Sequence, residues 1–87
     1  MRAAAVRGAW FHHSGQGAVC QILSVEGERS GDGDHDYKVM RFDSAAPHGQ
    51  GGWITREYGM AGDGWLPIAP ERARRLIERY ERLARGR

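Results

Sequence analysis

Apolar and polar positions change period along this chain. The change separates a strand-and-turn body over residues 5–68 from a helix over residues 70–85. Within the body, Ala18–Val25 is the clearest strand, with β-branched residues and no breaker. Ala5–His12 reads as a strand before it, ended by Ser14-Gly15-Gln16-Gly17. Glu26–Asp34 is a polar turn holding Gly27, Gly31 and Gly33, and Asp36–Phe42 is a third strand. Ser44–Gly52, with Pro47 and three glycines, reads as a loop. Trp53–Tyr58 alternates apolar and polar residues as a fourth strand, Gly59–Gly64 turns, and Trp65-Leu66-Pro67-Ile68 makes a short fifth. Pro67 lacks a ladder donor, which puts that segment at a sheet edge or a strand end.

The helix opens at Pro70, where the missing N–H costs nothing. Ala73, Leu76, Ile77, Tyr80, Leu83 and Ala84 recur at offsets of three and four and share one face. That face must cover the body or a second copy of the helix. Four opposite-charge pairs lie four residues apart: Glu71–Arg75, Arg74–Glu78, Glu78–Arg82 and Glu81–Arg85. Such pairs contribute about 0.2–0.5 kcal/mol each on an exposed helix. Gly86 follows as a stop.

Short strands with turn signals every 8–12 residues predict an α+β domain: a small antiparallel barrel of about five strands, then one amphipathic helix. The layout over residues 8–68 is similar to SH3-like small barrels. It has an aromatic first strand (Trp10, Phe11), a long hairpin, then Trp53-Ile54 and Trp65-Leu66-Pro67-Ile68. The resemblance implies a barrel fold. The family's peptide-binding pattern is absent here, so it assigns no binding residue.

Length narrows the function classes. Eighty-seven residues make one domain, 1–87. A chain this short buries only about 60–65% of the surface its unfolded form exposes. A doubly wound nucleotide-binding sheet does not fit, and a deep catalytic cavity is hard to build. No window approaches the ~18 apolar residues of a membrane span, and the early Arg2 and Arg7 do not suit a secretory signal. The single Cys20 cannot form an internal disulfide, so a reducing, cytoplasmic setting is expected. Lying in an apolar run, Cys20 reads as a small buried hydrophobe. The net charge of +2 is unevenly spread: residues 70–87 carry seven arginines against Glu71, Glu78 and Glu81, while the body is acidic.

Five sets of residues carry candidate chemistry. Trp53, Tyr58 and Trp65, with Arg56 as a polar anchor, could line a shallow contact groove, because tryptophan and tyrosine are enriched at recognition hot spots. The same indoles could equally be core. Arg72, Arg75, Arg79 and Arg82 could meet nucleic-acid phosphates, although glutamates are interleaved with them. Asp32, Asp34 and Asp36 alternate as calcium-loop carboxylates do, with Val39 and Asp43 at the eighth and twelfth positions. Tyr37 replaces the glycine such loops need, and a solvated hairpin tip explains the aspartates as well. His12 and His13 are adjacent on a strand and point to opposite faces, so they do not share a metal. Ser14 and Ser44 lack the local signatures of a nucleophile. The sequence therefore points to binding rather than catalysis, with no cofactor. It suggests a protein-interaction module or homo-oligomer subunit, with nucleic-acid binding and a metal or small-molecule site as alternatives.

Overall fold

A computed structural model describes residues 6–29, 34–56 and 64–86. The elements run β1 (Trp10–His13), β2 (Ala18–Arg29), β3 (Asp34–Phe42), β4 (Gln50–Arg56), β5 (Leu66–Ile68) and α1 (Pro70–Arg85). All pairings are antiparallel, and the strand order is β4-β3-β2-β1-β5. No helix among the described residues is long and apolar enough to cross a membrane.

The five-stranded antiparallel sheet and C-terminal helix are as expected, and among the described residues the sheet is not closed into a barrel: β4 and β5 are its two edges. Closure would require β5 to pair with β4. β5 is three residues long and contains Pro67, which has no N–H to offer a ladder. β2 has register shifts between Ile22 and Ser24 and between Glu26 and Glu28, and such bulges bend a strand and increase its twist.

Both faces of the sheet carry buried residues. Trp10 and Val19 share a face with Phe42 and Ile68, and α1 covers it with Ala73, Leu76, Ile77 and Tyr80. The Trp10 and Phe42 rings meet at 5.8 Å. The opposite face gathers Phe11, Ala18, Cys20, Ile22, Tyr37, Val39 and Trp65 into a second cluster, with Ile54 packed against it. Cys20 is buried there, as its apolar run predicts.

The helix occupies the expected residues. Its N-cap, Ala69, supplies no side-chain hydrogen bond, so Pro70 is the main local start signal. It ends at Gly86, but with φ −79° rather than the left-handed conformation usual for a terminal glycine. None of the four anticipated ion pairs along α1 closes to within 4.0 Å; among the described residues Arg41 pairs with Asp43.

Two strand boundaries differ from the sequence reading. Polar residues 26–29 continue β2, because they pair with Asp34–Asp36 across the bulges. Glycines 51 and 52 belong to β4, where they pair with Met40 and Val39. Gly49 supplies the turn into β4 at φ +101°, and a Cβ there would stand 2.9 Å from Met40 Cγ. No residue with a side chain fits that corner.

Ala73 is fully buried against the sheet. Ala73→Leu should therefore overpack the helix–sheet junction and lower stability by about 1–3 kcal/mol. Arg75→Leu, at an exposed position of the same helix, should change stability by under about 0.5 kcal/mol. Urea unfolding of both variants checks this.

Candidate functional site

The pleat decides where the tryptophans go. Successive strand residues face opposite sides of a sheet. Trp53 pairs with Lys38, whereas Gly52 and Ile54 pair with Val39 and Tyr37 of the buried cluster. Trp53 therefore lies on the α1 side, beyond the reach of the helix, and is 60% exposed. Trp65 lies on the other side, 1% exposed, with its ring edge-on to His13 at 5.3 Å. Trp65 is buried in the core, yet both indoles line one small hollow of about 180 Å³, with Gly51, Gly52 and Ile54 between them. The Trp65 Nε1–H is buried with no acceptor among the described residues.

The rest of the predicted contact set is only partly visible. Arg56 ends β4, its backbone paired with His35. Its side chain and the whole of Tyr58 lie outside the described residues. Asp32 and the side chain of Asp34 also lie outside them. Asp34 and Asp36 are strand residues of β3, paired with Arg29 and Glu26. Asp43, the twelfth position of the loop pattern, is engaged elsewhere. Its Oδ1 accepts hydrogen bonds from the backbone N–H groups of Ala45 (2.9 Å) and Ala46 (2.8 Å), and its Oδ2 accepts one from Arg41 Nε at 3.2 Å. Among the described residues, no three His, Cys, Asp or Glu side chains converge as a metal site requires.

The fold assembles one constellation that the sequence reading treated as separate pieces. The end of β1, the loop after β3 and one flank of α1 enclose an open cleft of about 640 Å³. His12 and Ser14 come from β1 and its turn, Asp43 and Ser44 from the loop, and Arg72, Arg79 and Tyr80 from the helix. His12 and His13 do point to opposite faces, as alternation requires: His12 toward the helix, His13 toward Trp65.

Of the four arginines proposed for phosphate contact, Arg72 and Arg79 line this cleft, and Arg75 and Arg82 do not. At 100° per residue, Arg72 and Arg79 fall on one flank of the helix, and Arg75 and Arg82 fall on the outer face beside Glu71 and Glu78. The four span an arc of about 80° around the helix, from Arg82 through Arg75 and Arg79 to Arg72, and only the last two border the cleft. The glutamates instead line a second open groove of about 590 Å³ on the far flank, formed by Trp10, Ile77, Arg74, Glu71, Glu78 and Glu81.

Titration behaviour follows from this placement. Burial lowers the His12 pKa, and the positive charges of Arg72 and His13 lower it further. Burial alone would raise the Asp43 pKa. Hydrogen bonds from Ala46, Arg41 and Ala45, with the Arg41 charge, outweigh burial and hold it below the usual value. Burial raises the Tyr80 pKa, and the Asp43 charge adds to this; Arg79 and Arg41 oppose it.

No protein-family model, no curated protein and no solved structure matches this chain.

The lowered His12 pKa has a signed consequence. The folded state holds this proton less tightly than the unfolded chain does, so stability is full above about pH 6.5 and falls as acid protonates the imidazole. His12→Gln should flatten that part of the profile, read as the urea midpoint between about pH 7 and pH 5. Asp43 contributes in the same sense at lower pH, with its share lost below the ordinary carboxylate range. Asp43→Asn should remove that second acid limb and leave the first.

Proposed function

We propose that this domain is a protein-binding module whose contact surface is the β4 edge, with Trp53 as its anchor. The observation that supports this is the 60% exposure of Trp53 at the centre of a seven-residue edge strand. Among the described residues, β4 pairs with β3 alone. An unpaired edge presents a row of backbone donors and acceptors, and an extended segment of another chain can add to it as a further strand.

The composition of β4 favours such pairing. Gln50–Arg56 carries no proline, and its one charge, Arg56, stands at its end, so the devices that usually blunt an exposed edge are absent from Gln50 to Thr55. The two glycines leave the backbone open to close approach, and the indole beside them offers a large rigid apolar contact. Lys38, cross-strand from Trp53, is exposed and adds a positive charge at the border of the patch. Catalysis is not part of this reading.

The test uses Trp53 itself. Trp53→Ala should retain the far-UV spectrum and unfold within about 1 kcal/mol of the parent, since an exposed ring contributes little to the core. Extended peptides selected for binding to the parent domain should bind this variant at least tenfold more weakly (about 1.4 kcal/mol). Sedimentation over a range of concentrations tells whether a second copy fills the same role, with self-association then lost in the variant. Unchanged affinity, or a variant that fails to fold, would remove Trp53 from the contact surface.

A further inference from the structure

We infer that the cleft between the end of β1, the loop after β3 and α1 is a binding site for a phosphate monoester, held by Arg72, Arg79 and His12. This site is on the opposite flank of the helix from the acidic groove and does not depend on the β4 reading.

Three observations carry it. First, Arg72 and Arg79 stand seven residues apart, about two helical turns, so their stems run along one flank and both line the cleft. Among the described residues no hydrogen bond or ion pair satisfies either guanidinium; the glutamates expected to lace this helix lie on its outer face and far flank. Second, the one carboxylate in the cleft is already committed. Asp43 accepts from two backbone amides and from Arg41, so it is held in place by its own loop. Arg41 is committed in turn, since its Nη1 also donates to Gln16 Oε1 at 2.6 Å. The charge left over in the cleft is positive. Third, His12 lies close enough to Arg72 to feel its charge. An arriving dianion would pair with both groups and supply the counter-charge that the site lacks.

The rest of the cleft indicates what the phosphate would be attached to. Leu76 lies between the two arginines along the helix, and Leu83, half-exposed, forms an apolar lip one turn further on. The volume of about 640 Å³ exceeds what a free phosphate ion fills. A phosphate joined to a flat or apolar group, as in a mononucleotide, matches both the charge and the lip. Arginine suits the task because its planar fork donates two parallel hydrogen bonds to a phosphate.

The experiment is a nuclear magnetic resonance and calorimetric titration of the full chain with inorganic phosphate, adenosine monophosphate and adenosine, at constant ionic strength set with chloride. Adenosine monophosphate should bind saturably and more tightly than phosphate, and adenosine should not bind. Arg72→Gln and Arg79→Gln should each weaken binding about tenfold, the effect of losing one charge-assisted contact. Arg75→Gln, on the outer face, should weaken it less than about twofold. All three positions are exposed, and unchanged unfolding midpoints will show that the fold survives.

Sulfate, which stays dianionic across the range, isolates the histidine. It should raise the His12 pKa, read from its ring proton shifts, against the background of His13, Arg72, Arg79, Arg41, Asp43 and Tyr80. Equal losses at Arg72, Arg75 and Arg79 would overturn the inference, because they would report a diffuse field rather than a site. Binding of adenosine as tight as that of its monophosphate would also overturn it. So would tighter binding of a single-stranded oligonucleotide lacking terminal phosphates, which would make the helix a nucleic-acid surface instead.

Discussion

One sheet and one helix must hide two apolar faces, and the rest of this structure follows from that constraint. The helix covers only the face that carries Trp10, Val19 and Phe42. The other face has no second helix among the described residues, and it buries Trp65, Phe11 and Ile22 in a cluster of its own. The register shifts in β2 are of the kind that bend a strand and increase its twist. The large indole just before β5 is buried in that cluster, with an Nε1–H that has no acceptor among the described residues. Burying such a donor costs about 1–3 kcal/mol, which the buried ring area offsets.

The surface chemistry is arranged by the same constraint. The helix lies across the sheet with Ala73 and Tyr80 inward, and this orientation sorts its charged residues onto separate flanks. Arg72 and Arg79 line one cleft with His12 of β1. Glu71, Glu78 and Glu81 line the other with Trp10 of the same strand. A helix rotated by one residue, about 100°, would mix the two sets and erase both clefts.

Much of this was legible in the chain. The helix could be read to the residue because Pro70, the three-and-four spacing from Ala73 to Ala84, and Gly86 agree. The burial of Cys20 and the opposed directions of His12 and His13 followed from strand alternation alone. Long-range pairing was what could not be read. Gly51 and Gly52 look like loop residues until Met40 and Val39 are found opposite them. Trp53 and Trp65 each follow glycines, and nothing in that placement tells that Trp65 is buried and Trp53 exposed where both border one hollow. The cleft was invisible for the same reason. Its residues come from positions 12, 43, 72 and 79, and no spacing rule links them. The missed signal was modest: two arginines seven apart on a helix whose glutamates fall elsewhere.

The two borders of the sheet are unequal, and the inequality limits what the molecule can build. If β4 could dock onto β5 of a neighbour, each addition would expose a fresh border, and the chain would grow into a filament. A three-residue β5 with a proline at its middle is a poor template for that step. Two β4 borders meeting antiparallel would instead form a closed two-fold pair with no growing end. Pro67, a single ring on a short strand, thus acts as a stopper against runaway polymerisation while leaving the longer border available.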